Sequence, residues 1–176
     1  MKAKLTIFTI GYSTLDINKF LDILKSHGIK QLVDVRTIPR SRARPEFNEQ
    51  ELKISLEKNS IKYMHMIELG GLRKPVKGSI NTAWQNASFR GFADYMQTDQ
   101  FWSAISELMK IAAEQKTVLM CAEGNPYRCH RSLIADALVA NGVAVNHIST
   151  AKSAKEHKIT AFAQIKDGRL TYVKND

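Results

Sequence analysis

The stretch TVLMCAEGNPYRCHRSLIADALVAN, residues 117–141, decides how this chain folds. It opens with a short apolar run, TVLM, of the kind that forms a buried strand. A turn containing Gly124, Asn125 and Pro126 follows, with residue types suited to a helix N-cap and first helical position at Asn125 and Pro126. A helical pattern then runs on until Gly142 ends it. Strand, tight turn and helix in that order form the repeating unit of a parallel α/β sheet. The chemistry is concentrated here too. Both cysteines of the protein, Cys121 and Cys129, lie within nine residues, beside Glu123, Arg128, His130 and Arg131.

The same alternation extends in both directions. Residues 5–10 are β-branched and aromatic and end at Gly11-Tyr12-Ser13-Thr14, a turn able to cap a helix. Ile17, Phe20, Leu21 and Leu24 then recur at helical spacing through His27, and Gly28 closes the helix. Residues 31–35 form a second strand, and the arginine- and proline-bearing segment 37–47 a loop. Asn48 is placed to cap a helix running to about Lys58, with Leu52, Ile54 and Leu56 on its inner side. A third strand covers 61–66, and a long irregular segment runs to about Ser88. Loops of that length in a compact domain are usually functional or mobile. A short helix over 89–96 precedes a clearer one over 98–114, whose Phe101, Trp102, Ile105, Leu108, Met109 and Ala112 mark a core face. Residues 143–148 form a fifth strand, and 161–165 with 170–173 a hairpin about Asp167-Gly168.

The expected architecture is a single α/β domain over 1–176: a three-layer sandwich, rhodanese-like or Rossmann-like, with a mostly parallel central sheet of about five strands and a C-terminal hairpin. At 176 residues such a domain buries a full core, and 44% hydrophobic with 24% charged residues is ordinary for a globular protein. No apolar run is long enough to span a bilayer. The start, MKAKLTIFTI, has no signal-type segment, so a cytoplasmic location is expected, where thiols stay reduced. A formal net charge of +9 favours anionic partners, either a small molecule or nucleic acid.

Sheets of this kind gather their sites beyond the carboxyl ends of the strands. The residues just past four of the strands are Tyr12 and Ser13, then Asp34 and Arg36, then Glu68 to Arg73 with Gly70 and Gly71, then Cys121 and Glu123. Parallel strands place them all along one edge, which nominates one shared pocket. There Cys121 is the candidate nucleophile, with Glu123 and His130 as acid, base or orienting groups. Arg36, Arg73, Arg128 and Arg131 hold an anion, with Tyr12, Ser13, Asp34, Cys129 and the backbone at Gly70 and Gly71 as further binding residues. The spacing of Cys121 and Cys129 is not that of a C-x-x-C pair, and adjacent Cys129 and His130 cannot easily share a tetrahedral ion. No metal and no cofactor is assigned.

Two resemblances bear on this. LVDVR at 32–36 is similar to a rhodanese strand motif, and 121–142 resembles the strand, loop and helix of rhodanese and cysteine-phosphatase sites. It departs from phosphatase loops, with Tyr127 and then Arg128 one step late and Asn125-Pro126 inserted. Across nearly the whole chain, Thr9-Ile10-Gly11-Tyr12-Ser13, Asp34-Val35-Arg36 with Pro39 and Ser41, Phe47, Tyr63, Leu69-Gly70-Gly71, Cys121-Ala122-Glu123 and Cys129-His130-Arg131 look like the uncharacterised domain-of-unknown-function 488 family. That resemblance carries over no reaction and marks these residues as the expected site.

The reading is therefore an enzyme acting on a phosphate- or nucleotide-like substrate. The alternative is a nucleic-acid- or nucleotide-binding protein with structural or regulatory thiols, in which Arg36, Arg40, Arg42 and Arg44 hold phosphates and Tyr12, Tyr63 or Trp84 stacks on a base.

Overall fold

A computed structural model describes residues 4–175. A six-stranded sheet in the order β3-β2-β4-β1-β5-β6 is built from β1 (Thr6–Gly11), β2 (Gln31–Asp34), β3 (Lys62–His65), β4 (Thr117–Cys121), β5 (Ala144–Thr150) and β6 (Ser153–Glu156). The first five run parallel and β6 turns back antiparallel on β5. A separate antiparallel hairpin pairs β7 (Gln164–Lys166) with β8 (Arg169–Thr171).

Helices cover both faces. On β4, Val118 and Met120 join the core under α1 (Ile17–Ser26) and α2 (Glu49–Glu57). Leu119 and Cys121 point the other way, into the core with α3 (Ala87–Tyr95), α4 (Asp99–Glu114) and α5 (Arg131–Ala140). This is the period-two alternation of a strand buried on both faces. It aims Cys121 at α5. Among the described residues no helix is long and apolar enough to cross a membrane.

Helix starts follow local chemistry. Asp16 accepts from the Lys19 N–H to open α1, Asn86 accepts from the Ser88 and Phe89 N–H groups to open α3, and Thr98 accepts from that of Phe101 to open α4. The cap of α1 is thus Asp16 and not the expected Gly11-Tyr12-Ser13-Thr14 turn, because the chain makes one further turn before the helix begins at Ile17. The sequence expectations need adjusting in three further places. Asn48 precedes α2 but its side-chain oxygen accepts from the Ser41 N–H, tying the arginine loop instead of the helix. Ile54, expected inside, is 51% exposed, so α2 packs on Leu52 and Leu56. The third departure lies at the site. Asn125 caps only a 3-10 turn, Pro126–Arg128, and α5 starts at Arg131 after an extended Cys129.

Candidate active site

The carboxyl ends of β1, β2 and β4 and the segment after β3 surround a cleft of about 480 Å³. Tyr12, Arg36, Gly71, Cys121, Glu123, Arg128, Cys129 and His130 line it, so eight of the residues expected there converge. The others stand behind or outside the wall. Ser13, at φ 43°, donates its backbone N–H to the Ala122 carbonyl and braces the cysteine loop. Asp34 lies beneath Arg36. Gly70 packs on Thr37, and Arg73 lies over the Tyr95 ring at 3.6 Å with its guanidinium donating to the Gly70 and Glu68 carbonyls. Arg131 is buried.

The cleft's floor is a sulfur pair. Cys121 Sγ and Cys129 Sγ are 2.8 Å apart, both as free thiols. The extended backbone of Cys129 turns its sulfur back toward the end of β4. Its other partners are the Arg131 backbone N–H at 3.5 Å and His130 Nδ1 at 3.5 Å. His130 Nε2 is 3.0 Å from the Val35 carbonyl, which can only accept, so Nε2 carries a proton and Nδ1 faces the sulfur. The hydrogen bond from Cys121, aided by His130 and Arg131, outweighs burial and pulls the Cys129 thiol down to about 3. Cys121 moves well upward, held by its bond to Cys129 and by burial. The two shifts have opposite directions, which favours Cys129 over Cys121 as the sulfur that gives up its proton first.

Arg131 underlies this arrangement. Only 1% exposed, its guanidinium donates to the Glu123 carbonyl and, at 3.1 Å, to Thr9 Oγ1, while Nε has no partner. None of the ion pairs among the described residues includes it. From Thr9 a chain continues to His147 Nδ1 at 2.7 Å, from His147 Nε2 to His157 Nδ1 at 2.9 Å, and from His157 Nε2 to Asp136 at 2.7 Å. Tyr172 also donates to Asp136, at 2.8 Å. Arg131 can only donate and the Asp136 carboxylate accepts, so His157 Nε2 carries a proton toward Asp136 and the hydrogen-bonded chain links a buried cation to a buried carboxylate. Burial, His157 and Arg131 hold His147 down at about 3.

Arg36 is the second buried cation. Its Nε and Nη2 grip Asp34 at 2.9 and 2.6 Å, Nη2 also reaches the Phe47 carbonyl at 2.8 Å, and Nη1 has no partner. Burial opposes its charge, but Asp34 more than offsets this and raises its pKa. Tyr63 donates to the same carboxylate at 2.8 Å; burial and Asp34 push that phenol upward.

Two motif glycines are explained by close approach. A Cβ at Gly11 would collide with the Glu123 carbonyl and Arg131, and one at Gly71 would lie 2.5 Å from His130 Nδ1. Their role is to let the cysteine loop and the histidine in.

With this geometry in view, residues 16–138 match the family described as Domain of unknown function DUF488. The chain belongs to this family. No curated protein and no solved structure matches it. In this DUF488 chain the remaining lining comes from Thr37, Ile38, Arg40, Leu72, Asn86, Ser88, Phe89 and Ala122. Arg40 was read as a phosphate holder. Asn86, Ser88 and Phe89 lie far along the chain from the cysteine motif, and their only sequence signal is the length of the irregular segment before them. The sequence places His147 near the last parallel strand and His157 in the tail, where His157 can reach a site but nothing around it signals a partner, and Asp136 carries no signal within its helix.

Proposed function

We propose that this protein is a thiol-dependent enzyme, a transferase or hydrolase, acting on a small anionic phosphate- or nucleotide-like substrate. The observation that carries the reading is buried Arg131, a cation meeting only neutral acceptors, next to two sulfurs 2.8 Å apart on the floor of a cleft. A buried cation without a carboxylate favours an anion beside it, and a thiolate supplies one. A thiolate is a nucleophile near neutral pH, where an ordinary thiol is mostly protonated. His130 and the Arg131 N–H reach Cys129 and not Cys121, so the contacts favour Cys129 as the attacking atom and Cys121 as its hydrogen-bond donor. His130, oriented by the Val35 carbonyl, and Glu123, whose Oε1 accepts from the Asn125 N–H at 3.0 Å, serve as acid and base.

Substrate class follows from the walls. With Arg36 paired to Asp34, Arg40 and Arg128 stand against Glu123 as the lone lining carboxylate, which favours an anion. Ile38, Leu72 and Phe89 offer apolar surface beside them, suited to a base or another flat group. A cleft of 480 Å³ is within the range for small-molecule sites. The nucleic-acid alternative is weaker, since Arg36 and Arg44 spend donors inside the fold, Arg44 on the Leu15 and Thr14 carbonyls.

The test is alkylation of the native protein by iodoacetamide at pH 5, with and without inorganic phosphate or a nucleoside monophosphate. Cys129 reacts at that pH, and an anion slows the reaction in wild type but not in Arg40→Ala/Arg128→Ala. Equal rates with and without both anions would end the anionic-substrate reading.

A further inference from the structure

We propose that Cys121 and Cys129 are also a redox pair, in which a small hydroperoxide oxidises Cys129 and Cys121 resolves the product as an intramolecular disulfide. The inference rests on the thiolate reading of the same cleft and adds a second substrate class to it.

Four observations carry it. The sulfurs are 2.8 Å apart, so closing to a bond of about 2.05 Å needs a movement of about 0.8 Å. Both residues line the cleft but are buried, Cys129 at 7% and Cys121 at 4% exposure, which restricts the oxidant to one as small as a hydroperoxide. Cys129 lies in an extended link between the 3-10 turn Pro126–Arg128 and α5, a junction that can absorb such a shift, whereas Cys121 is fixed at the end of a central strand. The Arg131 backbone N–H donates to Cys129 Sγ and stabilises the anion that attacks the peroxide, and His130 Nδ1, 3.5 Å from the same sulfur, is placed to take its proton.

The chemistry balances. Cys129 thiolate attacks the distal peroxide oxygen, the O–O bond breaks, and the sulfur becomes a sulfenic acid while the alkoxide leaves and takes a proton as the alcohol. Cys121 sulfur then displaces hydroxide from the sulfenic sulfur, and with the Cys121 proton this leaves as water. Two thiols and one hydroperoxide yield one disulfide, one alcohol and one water. A low-molecular-weight thiol returns the pair to the dithiol, two such thiols becoming their own disulfide.

Arg131 sets the direction of this exchange. Oxidation removes the thiolate and leaves that buried guanidinium with no anion, which favours the reduced form. Pairs whose reduced form is stabilised make oxidising, easily opened disulfides. The pair therefore closes under peroxide and reopens readily with thiols, protecting Cys129 from irreversible over-oxidation.

Full-length reduced protein is treated with equimolar hydrogen peroxide, followed by peptide mapping, free-thiol counting and then addition of glutathione. Wild type is expected to lose both thiols together, link the peptides of Cys121 and Cys129, gain no oxygen and recover its full thiol titre. With equimolar peroxide, Cys121→Ser and Cys121→Ala are expected to gain one oxygen on Cys129 and form no intramolecular disulfide. With a several-fold excess of peroxide, enough for the two oxygens of sulfinic acid, they recover less than about a tenth of the Cys129 thiol while wild type still recovers most of its own. Oxygen on Cys129 of wild type beside a free Cys121 would overturn the proposal, as would a disulfide that resists glutathione. Mapping of wild type decides the matter even where the variants fold poorly. Anion protection from alkylation without a disulfide removes this inference alone, and a disulfide without anion protection removes only the anionic-substrate reading.

Discussion

The Cys129 thiolate makes a quantitative prediction about reactivity against pH. A free thiol titrates near 8.5, and Cys129 is drawn down to about 3. A more acidic thiol is also a weaker nucleophile, with a Brønsted slope of about 0.45. A pKa lower by about 5.5 thus costs about 300-fold in intrinsic attack. At pH 5 only about one ordinary thiol in 3,000 is ionised, whereas Cys129 is almost wholly so, leaving it about tenfold faster. The two rates cross near pH 6, roughly, and by about pH 8 the ordinary thiol leads by nearly a hundredfold. Burial lowers the whole Cys129 curve without changing its shape, so the flatness is the signature. The assay is the initial rate of thiol release from a neutral chromogenic disulfide between pH 4 and 8, in wild type and Cys121→Ala, with glutathione as the ordinary thiol. Wild type should be nearly flat across that range. In Cys121→Ala, which removes the largest cause of the lowered pKa, the rate should begin to rise with pH. A wild-type rate climbing tenfold per pH unit up to 8 would refute the thiolate assignment.

Other consequences concern the frame around the sulfurs. Gly71→Ala forces the His130 ring off the Val35 carbonyl and should cost about 1–3 kcal/mol in urea unfolding while giving Cys129 a pH-dependent rate. Asp34→Ala leaves Arg36 buried and unpaired and should cost about 3–5 kcal/mol by the same measurement. His147 is neutral when folded down to about 3 but takes a proton near 6.5 once unfolded. Its depressed pKa means stability fully present above pH 6.5 and lost as pH falls toward 3. Thermal unfolding should therefore show a melting temperature that drops between pH 6.5 and 4, with a shallower drop in His147→Gln.

Much of this molecule is legible in its sequence because its elements agree locally and globally. The five parallel strands, the helix boundary at Thr98 and the hairpin about Asp167-Gly168 are signalled by periodicity and turn chemistry in place. What escapes has physical causes. The strand Ser153–Glu156 has no apolar alternation and is held at the sheet edge by backbone pairing with β5. Residues 126–130 carry helix-start chemistry, yet Asn125 closes only one 3-10 turn, which leaves Cys129 extended and able to meet Cys121. Parallel topology brings the strand ends to one edge, so the cleft's location could be read. Arg131 could not be placed correctly: arginine near a cysteine suggests an anion holder, and only the packing of Gly11 and Thr9 against it turns it inward.

That inward turn divides the site's charges by task. Arg36 is neutralised by Asp34, and the Arg131 charge acts through space on Cys129 while its guanidinium is joined through Thr9, His147 and His157 to Asp136. Buried charges of both signs are thus answered inside the protein before a ligand arrives. Arg40 and Arg128 are on the exposed wall and remain for an incoming anion. A ligand bound there adds negative charge near a thiolate that the fold has already compensated, so its binding is opposed by that thiolate and favoured by the arginines. Oxidation of Cys129 removes the opposing charge and leaves Arg131 unanswered. The closed disulfide should therefore bind inorganic phosphate more tightly than the dithiol, and equal or weaker binding by the disulfide in calorimetric titration of both forms would refute a thiolate in the cleft.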